Sequence, residues 1–260
     1  KVVTGDTAHF HWGAGTFASR GATIVGSAVH SAAVMVREKI FATASKLLEV
    51  PEDQVELCEG SVWEKGHPEK SIPLGTLAGI ANPMRGAVDA DVKPGLEATA
   101  YYAPPHASTG SGACAMIVEV DPETCKVTID RFALVHDCGT VINPLLLDGQ
   151  IQGGVSMGIG NAFYEKVVYD ENGQLMTASF MDYLMPQATD MPKKMELGHN
   201  VHPSPLNTLG IKGVGEAGAL PPPPAFCQAV EDALQIPGLY LTESNLNPGL
   251  LYQFVKQAKA

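Results

Sequence analysis

Between residues 24 and 48 the apolar side chains return at steps of three and four: Val25, Val29, Ala32, Val36, Ile40, Ala44 and Leu47. Arg37, Glu38, Ser45 and Lys46 fall elsewhere on the wheel, so the segment predicts an amphipathic helix with that stripe in a core. Period-two alternation replaces it further on. Residues 113–120 and 126–135 read as two strands joined by Asp121-Pro-Glu-Thr-Cys125, with Val127 and Ile129 alternating against polar neighbours. A short hairpin is expected at 56–63 around Glu59-Gly60. Another is expected from 162–168 and 175–180, joined by Asn172-Gly173, a dipeptide that favours the left-handed turn of a hairpin. Phe226, Val230, Ala233 and Leu234 give a last helix its buried face, starting near Ala225 because Pro221 to Pro224 lack the N–H a helix interior needs. The opening Val2-Val-Thr-Gly-Asp6 reads as strand and turn, 13–26 as a small-residue loop, and 66–105 as connecting structure. Helices and strands mix without a regular βαβ rhythm, which predicts an α+β fold.

Composition narrows the function classes. Seventeen Lys and Arg stand against 28 Asp and Glu, a formal net charge of −11. That balance argues against a nucleic-acid partner, whose phosphates are bound mainly by displacing counterions with basic side chains. No stretch is apolar for long enough to span a bilayer, and no signal peptide is expected at the start. The five cysteines (Cys58, Cys114, Cys125, Cys138 and Cys227) are odd in number and widely spaced, which predicts reduced thiols in a cytoplasmic protein.

The chemistry concentrates in glycine-rich loops. Gly210-Ile-Lys-Gly-Val-Gly-Glu-Ala-Gly218 sets one carboxylate, Glu216, among glycines that admit close approach of a ligand to the backbone, so Glu216 is expected to point into a site. The same segment matches G-x-G-x-x-G, but that fingerprint needs a helix opening within it, and four prolines follow. Gly154-Val-Ser-Met-Gly158 matches the nucleophile elbow of serine hydrolases, leaving a hydrolase acting through Ser156 as an alternative. The elbow requires a strand ending at the serine, whereas the residues before it read as a close-packed helix or loop. His9-Phe-His11 and His136-Asp-Cys138 do not complete a metal-ligand set, so no protein metal ligand is expected.

Three loops taken in order carry a resemblance: Gly15-Thr-Phe-Ala-Ser-Arg-Gly21, Asn143-Pro through Gly149-Gln150-Ile-Gln-Gly-Gly154, and Lys212-Gly-Val-Gly-Glu-Ala-Gly218. With Val3-Thr-Gly-Asp-Thr7, Glu119-Val-Asp-Pro-Glu-Thr124, Asp137-Cys-Gly-Thr-Val-Ile-Asn-Pro144, Asp182-Tyr-Leu-Met-Pro186 and His202-Pro-Ser-Pro205, they resemble the molybdopterin-binding large subunit of the xanthine dehydrogenase and aldehyde oxidase family of molybdenum hydroxylases. The resemblance covers nearly the whole chain. It implies a molybdopterin-binding fold of mixed sheets and packed helices, the C-terminal part of a larger subunit. Residues 1–105 would complete a first cofactor-binding subdomain with its connection, and 106–260 would form a second with the catalytic loop.

The resemblance also implies roles. Glu216 would be the general base in hydroxylation of a C–H carbon of an aldehyde or N-heterocycle by water-derived oxygen. Thr16, Phe17, Ala18, Ser19 and Arg20, with Asn143, Gln150, Lys212, Gly213, Val214 and Gly215, would hold the cofactor, Ala18 lying nearest the substrate. The cofactor would be molybdopterin with molybdenum, in the cytosine dinucleotide form if the chain is bacterial. Electrons would pass to Fe–S and FAD groups on partner chains, a [2Fe-2S] subunit and an FAD subunit. The other part of the molybdenum subunit, with an earlier Gly-Gln-Gly loop and most of the substrate funnel, would be a further partner in a hetero-oligomer. Carbon monoxide oxidation in this family needs a copper-binding cysteine loop, which this chain lacks. A catalytically silent cofactor-binding or assembly subunit is the remaining alternative.

Overall fold

The computed structural model describes residues 3–9, 13, 15–84 and 91–260. The chain divides into two compact units, one formed by the described residues of Lys1–Thr23 with Pro104–Ala260, the other by Ile24–Ala103.

In the Ile24–Ala103 unit, helix α1 (Ser27–Leu48) follows a π-helical turn at Ala22–Gly26. Strands β1 (Val55–Cys58) and β2 (Ser61–Glu64) form the expected antiparallel hairpin, turned by Glu59 and Gly60 at positive φ. Strand β3 (Ile72–Pro73) and helix α2 (Leu74–Ile80) lie within what the sequence suggested was connecting structure. Ile40 and Ala44 of α1, Val55, Val62 and Leu77 form the core of this unit. The apolar stripe is buried only along the C-terminal half of α1, where it meets the hairpin and α2; Val25 and Val29 are each 62% exposed.

The larger unit is built on a three-stranded sheet. Strand β4 (Ser111–Val120) runs antiparallel to β5 (Val127–Asp137), and β6 (Lys194–His199) runs parallel to β5 along its other edge. The β4–β5 turn is fixed by Asp121, whose Oδ1 accepts the N–H groups of Glu123 and Thr124 at 2.8 and 3.2 Å. Helices α3 (Pro144–Ile159), α4 (Pro222–Leu234) and α5 (Pro248–Ala258) complete the unit. Phe132 and Leu134 of the sheet pack in one core with Ile151 and Val155 of α3, Phe226 and Val230 of α4, and Leu251 of α5.

Several expectations need correction. Helix α4 begins at Pro222 rather than near Ala225, because the prolines occupy its first turn, where the N–H groups have no intrahelical acceptor in any case. The second hairpin shrinks to one bridge, Tyr169 with Leu175; Ala162 and Phe163 instead continue α3 as a π-helical turn at Gly160–Tyr164. Val3 to Thr7 form no strand. Lys1, Val2, Phe10, His11 and Ala14 lie outside the described residues.

Candidate functional site

The Glu216 loop is stitched to the end of β5. Thr140 N–H donates to Gly210 O at 3.0 Å and Lys212 N–H to Cys138 O at 2.7 Å, while Gly139 and Ile211 form an antiparallel bridge. The buried Asn207 amide clasps Ile211 from both sides, donating to its carbonyl at 2.8 Å and accepting its N–H at 2.9 Å. Gly210, at φ +68°, makes the reversal that starts the loop; a Cβ there would also lie 2.7 Å from Thr140 Oγ1. Ala217 and Ala219 N–H then donate to Val214 O and Glu216 O, each at 3.0 Å, which places Glu216 within consecutive tight turns.

Helix α3 supports the loop from one side. Asn143 caps it, its Oδ1 accepting Leu146 N–H at 3.2 Å, and Pro144 supplies a first helical position that needs no donor. A Cβ on Gly154 would lie 2.9 Å from Gly218 Cα, one on Gly158 would lie 2.7 Å from the Pro222 ring, and one on Gly218 would strike the Ile151 carbonyl. Gly154 and Gly158 thus allow the helix backbone to pack on the backbone of the 218–219 segment. From the same helix Gln150 Nε2 donates to Gly215 O at 3.1 Å.

The first glycine-rich loop meets Glu216 directly. Ser19 Oγ donates to Glu216 Oε2 at 2.6 Å and accepts the Glu216 backbone N–H at 2.9 Å. A Cβ on Gly213 would lie 3.0 Å from Ser19 Cβ, and one on Gly215 would lie 3.3 Å from Ser19 Oγ. Arg20 places its guanidinium 3.9 Å from the centroid of the exposed Phe17 ring. Ala18 and Ser19 take φ of 50° and 53°, a left-handed conformation few non-glycine residues adopt.

Charge beneath the loop is paired. Lys212 Nζ lies 2.6 Å from Asp137 Oδ2, with both side chains largely buried at 17% and 9% exposure. Burial raises the Asp137 pKa, but the Lys212 hydrogen bond and the N–H groups of Gly139 and His202 outweigh it and hold the carboxyl at about 2. His136, next to it on β5, is buried, and burial pushes its pKa down; its Nδ1 has no partner among the described residues. Burial likewise pushes the Cys138 thiol up.

A cavity of about 280 Å³ opens beside these groups. Its walls include Ala22, Cys138, Asn143, Gln150, Lys212 and Val214. The structure therefore gathers Asn143, Gln150, Lys212 and Val214 around one hollow, and sets Ser19, Gly213, Gly215 and Glu216 against one another. Thr16, Phe17 and Ala18 are exposed on the adjoining loop. Glu216 itself is exposed in this chain rather than enclosed. Lys212 Nζ is given to Asp137, Asn143 Oδ1 to the cap and Gln150 Nε2 to Gly215, while among the described residues no hydrogen bond reaches Asn143 Nδ2 or Gln150 Oε1.

The donor set fits a pterin cofactor. Gly149 and Gly153 leave a bare strip on α3, where a built Cβ would meet nothing within 4 Å, and no carboxylate pairs with Arg20 among the described residues. Sequence reasoning singled out the Asp137-Cys-Gly segment but not the anchoring by Asp137. It missed Asn207 altogether, since neither its neighbours nor its spacing carries a local signal. Ser156 lies well inside α3, with no strand leading into it, so the elbow geometry of a serine hydrolase is absent. Among the described residues no group of three or more His, Cys, Asp or Glu could hold a metal ion.

Glycine loops from two parts of the chain, a helix bared by small residues and one carboxylate at their meeting point define a cofactor-binding unit. Residues 1–192 match the family model described as "Molybdopterin cofactor-binding domain". The chain belongs to that family, in the xanthine dehydrogenase group of molybdenum enzymes. It is 36% identical over 248 residues to the nicotine 6-hydroxylase large subunit of Paenarthrobacter nicotinovorans, covering 95% of this chain and 30% of the relative. It is 36% identical over 232 residues to the carbon monoxide dehydrogenase large chain of Afipia carboxidovorans, covering 89% and 28%. The crystal structure of quinoline 2-oxidoreductase from Pseudomonas putida 86 superposes with a TM-score of 0.82 at 36% identity, over 94% of this chain and 31% of that one. The chain thus spans about a third of the length of the relatives it matches, and its fold is that of a segment of their large subunits.

Proposed function

We propose that this chain forms the base-bearing half of the active site of a molybdenum hydroxylase, with Glu216 as the general base. The observation that carries this reading is the contact of Ser19 in the 16–20 loop with the Glu216 carboxylate, on the loop whose Lys212 and Val214 line the 280 Å³ cavity. The net reaction joins water to a C–H carbon, giving C–OH with release of two protons and two electrons. When bound, molybdopterin with its molybdenum would supply the redox chemistry, taking up those electrons. Glu216 takes the proton released as water-derived oxygen attacks the carbon. Asn143, Gln150, Arg20 and the backbone of Gly213, Val214 and Gly215 hold and orient the cofactor, with Thr16 and Phe17 on the same loop.

Relatives named for nicotine and quinoline, both N-heterocycles, support an N-heterocyclic substrate ahead of an aldehyde. A cytosine dinucleotide form of the cofactor, Fe–S and FAD partner chains, a cytoplasmic location and the rest of the large subunit as a further partner complete the reading. The exposure of Glu216 supports that last element, because a base of this kind works with water excluded.

The test is Glu216→Gln in the complex purified with its natural partners. Turnover is expected to fall at least about 10²-fold, the contribution of a positioned base, while molybdenum and pterin contents stay at wild-type level. Turnover surviving in a molybdenum-replete variant would remove Glu216 from the mechanism. A molybdenum-replete wild-type complex inactive on both aldehydes and N-heterocycles would identify a silent cofactor-binding subunit.

A further inference from the structure

We propose that Ser19 is a positioning residue for Glu216, fixing Oε2 so that Oε1 is the oxygen that receives the proton. This rests on the reading of Glu216 as base. The pairing is reciprocal: the Ser19 hydroxyl donates to Oε2 at 2.6 Å and accepts the backbone N–H of the same residue at 2.9 Å. One hydroxyl therefore engages both the main chain and the side chain of Glu216, which restrains rotation of the carboxylate. Among the described residues no hydrogen bond reaches Oε1.

Three further observations bear on Ser19. Its backbone and that of Ala18 are held at positive φ, a conformation that persists only where the surroundings impose it. Gly213 and Gly215 lack the Cβ atoms that would crowd Ser19, so the Glu216 loop is shaped around this side chain. The single O–H of Ser19 and one of its two lone pairs both go to Glu216.

Ser19→Ala and Ser19→Gly, made in the assembled complex, test the assignment. Glycine takes positive φ freely, so its variant loses the hydroxyl without straining the backbone. Both variants are expected to keep molybdenum and pterin content and KM, while kcat falls about tenfold, the low end for a hydrogen bond to a charged group because this pair is exposed. The second readout is independent of turnover. With 13C-labelled glutamate in this chain, the infrared band removed by Glu216→Gln reports its carboxylate, and that band is expected to shift in both Ser19 variants. Unchanged kcat, an unshifted band, or loss of molybdenum with kcat per molybdenum preserved would each overturn the positioning role, the last making Ser19 a cofactor ligand. Full turnover in Glu216→Gln would instead overturn the base, leaving the band shift to report the pairing alone.

Discussion

Asp137 shows how a single side chain holds the Glu216 loop. Its carboxylate takes the Lys212 ammonium and the N–H groups of Gly139 and His202, thereby joining the end of β5 to the segment that leads to Glu216. Its folded pKa, about 2, lies below that of an unfolded aspartate. The sign follows from linkage: the stabilisation is complete above the unfolded value near 4 and disappears as pH falls from there toward 2. Asp137→Asn is expected to cost on the order of 3 kcal/mol near neutrality, since Lys212 is left largely buried without its partner. It should also flatten the fall in stability between about pH 4 and 2, measured as urea midpoints across that range. A midpoint curve with the wild-type slope would show that the pair does not couple to folding.

At the scale of elements, glycine content separates two faces of α3. Gly154→Ala places a methyl 2.9 Å from Gly218 Cα and 3.1 Å from Ala219 N, backbone atoms that cannot rotate away, and should destabilise the protein by about 1–3 kcal/mol. Gly153→Ala points into open space and should be neutral or stabilising by up to about 1 kcal/mol, as alanine favours a helix. Thermal unfolding of the two variants, one residue apart, checks both. The sequence disclosed these elements unevenly. Periodicity located α1, β4 and β5, because their partners are neighbours in the chain or their pattern is long. It placed too much of the apolar stripe in the core, since Val25 and Val29 have the right spacing but are each 62% exposed. Strand β6 stayed hidden because its six residues gain their place only by pairing with the distant β5. Helix α5 carries its own local signal in Asn247-Pro248 followed by Leu250, Leu251, Phe254 and Val255. In the candidate site, the glycine loops and Glu216 stand out by composition. The link between Ser19 and Glu216 does not, because no local pattern joins positions 197 apart.

For the whole molecule, the two units have separate cores. Leu77→Ala in the Ile24–Ala103 unit removes a fully buried side chain and should cost about 2–5 kcal/mol. The loss should appear as faster amide exchange across Val55–Cys58 and Ser61–Glu64. Among the described residues no helix is long and apolar enough to cross a membrane. The larger unit gathers residues up to Thr23 with those from Pro104 onward, and the 80 residues of the other unit lie between them in sequence. The Ser19–Glu216 contact therefore closes a loop of 197 positions, and closure of a long loop is rewarded only once both ends are in place. During synthesis the ribosome must deliver Glu216 before Ser19 has anything to grip. A chain interrupted anywhere between them cannot make this contact, so the pair exists only once translation has passed both positions.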